Sequence, residues 1–194
     1  MRLLRGRRSL RSSAVGVRRG DSSRRPRGLA RSVLIFGLLL AGFYAIMSRW
    51  DAEVYAFQGY LRVLSSITGT ILRATDQDVE VAGTVLRSPD FTMGIAGGCA
   101  GLEAIATFSF AVIASPLAAR SRVIGLVLGV VLLSTINLLR IVTIFLVGAW
   151  RPSLFAFVHE DLWQAAMILI AVLLWCAWID WAVKISRRGC GAAG

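Results

Sequence analysis

The chain has 194 residues, 56% of them hydrophobic, with a mean hydropathy of +0.68 and 22 basic against 11 acidic side chains. That length fits one compact domain, and the long uncharged runs exclude a soluble globule in favour of an integral membrane protein. The net charge of +11 is local: residues 1 to 31 carry eleven arginines against Asp21, which leaves a net +1 for the rest of the chain.

Met1 to Arg31 is rich in Arg, Ser and Gly and too poor in apolar residues to bury a core, so it is expected to be a disordered cytoplasmic tail. It lacks the interleaved aromatics of a nucleic-acid arm, and no nucleic-acid partner is expected. Its charge suits retention at an anionic lipid leaflet. Seventeen uncharged residues from Ser32 to Ser48 follow, just enough for a hydrocarbon core of about 30 Å. No A-x-A-like site follows them, so the segment is expected to be an uncleaved anchor.

From Ala52 to Ala74, Val54, Phe57, Leu61, Leu64, Ile67 and Ile71 recur at helical spacing with Gln58, Arg62 and Ser65 between them. This pattern predicts an amphipathic helix lying on the membrane surface. "TDQD" breaks it. The alternation in "VEVAGTVL", the turn "RSPD" and the shared face of Phe91, Met93 and Ile95 predict a short β-hairpin over 79–95, leading into the glycines around Cys99.

A second span is expected from Gly101 to Ala119 and a third from Val123 to Ala149, interrupted by Asn137 and Arg140. The segment "WRPSLFAFVHED" reads as a polar loop, and a fourth span runs from Leu162 to Val183. The expected fold class is therefore an all-α integral membrane protein of about four transmembrane helices, with the interfacial helix and the hairpin on the extracytoplasmic side. Residues 1–31, 32–188 and 189–194 form the tail, the membrane domain and a flexible C-terminal end. Basic residues concentrate in 1–31, 119–122 and 184–188, whereas 49–95 holds four arginines against six acids. The positive-inside rule then places both termini in the cytoplasm of an inner-membrane protein.

In that topology Cys99, Arg140 and His159 converge on the outer membrane face. Each has a plain alternative, as a packed thiol, a snorkelling cation or a solvated imidazole. Arg140 is the hardest to set aside, because an arginine within a span costs about 2.5–3.5 kcal/mol on insertion scales and normally serves a cavity or the bundle interior. Asn137 lies one turn earlier on the same face. A thiol beside a cation and a helix N-terminus is activated as a nucleophile. Gly97, Gly98 and Gly101 would let a substrate backbone approach it closely. A histidine can shuttle the proton, and a guanidinium can stabilise an oxyanion. Glu103, Glu160 and Asp161 suit helix starts by dipole compensation. The three cysteines, Cys99, Cys176 and Cys190, form no C-x-x-C pair and no metal spacing with the single histidine, so no metal or cofactor is expected.

"GGCAGLEA", a span, "NLLR" in the next span and then "FAFVHEDLWQ" together resemble the exosortase/archaeosortase family of membrane cysteine transpeptidases. The likeness covers Phe91 to Gln164 and suggests a compact form of the exosortase H type. It implies Cys99 as nucleophile, Arg140 as essential arginine, His159 as third member and Asn137 as a supporting residue. It also implies exported protein substrates with a C-terminal motif, a transmembrane helix and a basic tail, passed through a thioester to an amine-bearing envelope acceptor. The competing expectation is a small transporter or channel subunit in which Arg140 and Asn137 line a path. A thiol oxidoreductase would need Cys176 to reach Cys99, and a non-catalytic assembly protein would leave the convergence of the three side chains unexplained.

Overall fold

The structure is a computed structural model that describes residues 24–49 and 55–191. Its helices are α1 (Arg24–Arg49), α2 (Tyr55–Ala74), α3 (Leu102–Ala114), α4 (Ala119–Trp150) and α5 (Trp163–Gly191). Three short strands stand between α2 and α3: β1 (Glu80–Ala82), β2 (Val85–Arg87) and β3 (Thr92–Gly94). The part of the Arg-rich tail that is described, Arg24 to Arg31, is helical rather than disordered, because it continues the first turns of α1. Residues 1–23 lie outside the described residues, as do Ala52 to Val54 of the expected amphipathic helix.

Three helical stretches are long and apolar enough to cross a membrane: Gly28–Ser48, Ala119–Trp150 and Pro152–Ser186. Their outward side chains are large and apolar, among them Leu34, Leu38, Val127, Leu132, Leu169 and Leu173. Such continuous apolar surface suits lipid, not water. The expected second span, Gly101 to Ala119, is cut to the 13 residues of α3, about 20 Å at 1.5 Å per residue. Pro116 explains the cut. The residue before a proline is pushed to extended backbone, and Ser115 sits there at φ −68° and ψ 140°, its hydroxyl donating to the Val112 carbonyl at 2.6 Å. Four full-length spans therefore become three plus one short helix.

The core has two parts. The lower one joins Phe108 and Val112 of α3, Leu133 of α4 and Ala171, Trp178 and Ala182 of α5. Gly125 and Gly129 admit it, since a Cβ at Gly125 would strike the Trp178 ring and one at Gly129 the Phe108 ring. The upper part joins Leu61, Leu64 and Leu72 of α2, Leu86 and Met93 of the sheet, and Ile141, Ile144 and Phe145 of α4. Helix α4 thus serves both, with Asn137 and Arg140 between Leu133 below and Ile141 above.

Two details of α2 differ from the sequence pattern. Ser65 and Thr68 are fully buried and Ile67 is 44% exposed. The hydroxyls are tolerated inside because each donates to its own helix, Ser65 to the Leu61 carbonyl and Thr68 to the Leu64 carbonyl, both at 2.8 Å. The helix packs on α4 and the sheet through this face, while Val63 and Ile67 point outward. Where a two-stranded hairpin was expected, three antiparallel strands form in the order β1-β2-β3: β2 and β3 pair across the "RSPD" turn, and the first arm itself folds back at Gly83 and Thr84 to add β1. Gly83, at φ +65°, supplies the left-handed residue of the β1–β2 turn.

Candidate active site

After β3 the chain passes Ile95 and Ala96 into a single 3-10 turn, Gly97–Cys99, whose N–H groups at Cys99 and Ala100 donate to Ala96 and Gly97. Gly101 then takes left-handed backbone at φ +70° and starts α3. A side chain there would be strained and would also collide with Asn137, so Gly101 serves the turn and its packing rather than open approach. A Cβ built at Gly97 would meet the Phe57 ring at 3.5 Å, ordinary contact, whereas nothing lies within 4 Å of one built at Gly98.

Cys99 is 7% exposed, and its Sγ lies 3.2 Å from Nε2 of His159. His159 is not in a loop. The segment read as one folds as a 3-10 turn, Pro152–Leu154, and a π-helical turn, Phe157–Leu162, that runs directly into α5. A π-turn carries about one residue more than an α-turn, and such turns recur at functional sites because they re-aim a side chain. Phe155 stacks on the imidazole with ring centroids 5.5 Å apart and planes 7° from parallel. That contact fixes the ring plane against the thiol.

Two side chains hold the backbone that carries the cysteine. Asn137 of α4 donates from Nδ2 to the Cys99 carbonyl at 3.1 Å, and Tyr60 of α2 donates its hydroxyl to the Ala100 carbonyl at 2.9 Å. Burial raises the Tyr60 phenol above its ordinary range, which keeps it a donor. Arg140, one turn past Asn137, is 4% exposed, and its buried Nε has no partner among the described residues. It lines a cavity of about 920 Å³ with Gly97, Gly98 and Gly101. That cavity runs on between α1, α3 and α5 and is walled mainly by apolar side chains such as Phe36, Phe108 and Met167. Thus Cys99 and His159 touch, Asn137 holds the cysteine's backbone, and Arg140 lines the cavity that the glycines on either side of the cysteine also line. No cluster of metal-ligating side chains occurs among the described residues. Cys176 is a free, exposed thiol on α5.

The family model for transmembrane exosortases matches residues 22–181. The chain belongs to the transmembrane exosortase family. Comparison with the curated proteins and with the solved structures finds no match. The matched range includes every candidate residue and all of the described helices of this exosortase except the C-terminal end of α5. Membership together with its lipid-facing helices makes it an integral membrane protein of exosortase type.

Two residues of the arrangement carry little signal in the sequence. Tyr60 is one more position on an amphipathic helix, and nothing in its neighbours points to a loop forty residues on. Phe155 carries a faint signal, since it precedes His159 by four residues and would share its helix face.

Proposed function

We propose that this exosortase is a cysteine transpeptidase that cleaves the C-terminal sorting signal of exported proteins and transfers the remainder to an amine-bearing envelope acceptor. The observation that carries the reading is the 3.2 Å separation of Cys99 Sγ and His159 Nε2, within reach for proton transfer.

In this reaction His159 takes the thiol proton as Sγ attacks the carbonyl carbon of the scissile peptide. The C=O electron pair moves to oxygen, and the oxyanion is stabilised by the guanidinium of Arg140, which lines the cavity beside Gly97 and Gly98. Collapse of the intermediate breaks the C–N bond as the imidazolium returns its proton to the leaving amine, leaving a thioester on Cys99. The acceptor amine then attacks the thioester carbon and loses a proton to His159; collapse breaks the C–S bond, leaves the substrate joined to the acceptor by a new amide, and the imidazolium returns the proton to Sγ. Water in the acceptor's place would give hydrolysis.

The orientation belongs to the same reading. With both termini cytoplasmic, the Cys99 end of α3, the sheet and the π-turn lie on the extracytoplasmic side. The apolar cavity between α1, α3 and α5 would then take the membrane helix of the sorting signal, with its basic tail left in the cytoplasm.

C-terminal peptide mass spectrometry on envelope proteins of the native host, with the intact chain and with Cys99→Ala, tests this. The expected result is a set of proteins that regain a transmembrane helix and a basic tail in the variant. Unchanged C-termini at normal variant levels would defeat the reading. The buried, unpaired Arg140 in a large cavity would then favour a transporter subunit, whose flux should survive Cys99→Ala and fail in Arg140→Gln.

A further inference from the structure

The sheet has a free edge that leads directly to the nucleophile. Strand order is β1-β2-β3, so nothing pairs with the far side of β3 among the described residues. The hydrogen bonds fix which residues face that side. Ser88 N–H donates to the Phe91 carbonyl and Ile95 N–H to the Thr84 carbonyl, both at 2.8 Å. In an antiparallel ladder, hydrogen-bonded and non-hydrogen-bonded pairs alternate. With Thr92 opposite Arg87 and Gly94 opposite Val85, these two residues fall in non-hydrogen-bonded pairs and turn their N–H and C=O outward. Ala96 continues the extended path at φ −107° and ψ 177°, and the 3-10 turn with Cys99 follows at once.

The glycines on this path have no internal reason to be glycine. Nothing lies within 4 Å of a Cβ built at Gly94 or at Gly98, and neither has left-handed backbone. Gly83 and Gly101 need their positive φ, and Gly148 makes room for Phe91. A glycine in a strand weakens it and often marks the close approach of another backbone. Exposed edges are normally guarded by shortness, charge, proline or a covering segment; "TMG" is short, at three residues, but carries neither charge nor proline.

We propose that the substrate polypeptide adds to this edge: an extended stretch flanking the bond that Cys99 attacks pairs with Thr92 and Gly94 and passes over Gly98 to the thiol. Strand addition draws affinity from main-chain hydrogen bonds and selectivity from alternate side chains. Two outward residues are enough to set the register of a peptide against Cys99. The vacant space at Gly94 leaves room for a bulky substrate side chain on that face. This inference rests on the acyl-transfer reading above.

Proline is the discriminating probe, because at an outward position it removes only the free N–H and leaves the ladder intact. In the native host, Thr92→Pro and Gly94→Pro should each lower the yield of processed C-termini at least tenfold, while iodoacetamide alkylates Cys99 at the unaltered rate. If Cys99→Ala abolishes processing and both proline variants process normally, strand addition is overturned and the cysteine reading stands. If Cys99→Ala processes normally, both fall. Should the proline variants fail to accumulate, photo-crosslinking from benzoylphenylalanine in place of Thr92, in the Cys99→Ala chain, decides. Adducts mapping within a few residues of the cleaved bond support the proposal; adducts only elsewhere on the substrate, or none, overturn it.

Discussion

The Asn137 amide donates to the Cys99 carbonyl from the same helix, one turn before Arg140, so a single rigid element sets both the backbone of the thiol and the position of the guanidinium. A side chain on a helix holds a loop more firmly than another loop does.

Removing that donor should loosen the thiol without unfolding the chain. Asn137→Ala is expected to lower the rate of signal cleavage about tenfold, or about 1.4 kcal/mol in the barrier. Asn137→Asp, which keeps the size but not the donor, should lower it similarly. Pulse-chase of a processed envelope protein measures this, and an unchanged rate in Asn137→Ala would contradict the positioning role.

Arg140→Lys should be nearly as damaging as Arg140→Gln. Lysine keeps the charge but replaces the planar fork of donors with one compact ammonium, and loss of an oxyanion donor costs about 10²–10³ in turnover. Alkylation of Cys99 in the same variants should stay within a few fold of the unaltered chain. Full processing by Arg140→Lys would mean that charge alone suffices.

The Tyr60 bond predicts an alkaline limit to stability. Burial raises the folded-state phenol above its unfolded value, so between the ordinary range near 10 and the raised value the unfolded state binds fewer protons than the folded one. The contribution is fully present below the ordinary value and is lost as pH rises through the raised one. Thermal unfolding of detergent-solubilised protein across that window should show the decline, and Tyr60→Phe should lack this part of it.

Gly129→Ala should destabilise by about 1–3 kcal/mol, because its methyl would overlap the buried Phe108 ring. Gly98→Ala, which meets nothing within 4 Å, should unfold at an unchanged or slightly higher temperature. Side-by-side thermal melts separate the two, and equal melts would place Phe108 elsewhere.

The long apolar helices were legible because lipid demands a length and a composition that no other solvent asks for. The site was legible as a set of types, Cys99, Asn137, Arg140 and His159, because each is costly or unusual near a membrane. Its connections were not. The π-turn that aims His159 looks like an ordinary loop in "SLFAFVHED", since no residue type specifies a π-turn. Tyr60 reaches Ala100 only because the sheet folds α2 back over α4, a long-range arrangement that local pattern does not encode. The shortening of α3 was readable in Pro116 and was outweighed by the hydropathy of the residues around it.

The division of the core at Asn137 and Arg140 has a consequence for reaction order. Below the seam the protein's outer surface is greasy and continuous, and above it stand a small sheet and an amphipathic helix, so in the proposed orientation the thiol would sit where one solvent gives way to another. On the proposed reaction, a peptide anchored in oil and an amine dissolved in water would reach the same sulfur from opposite directions, and neither would have to leave the phase in which it travels.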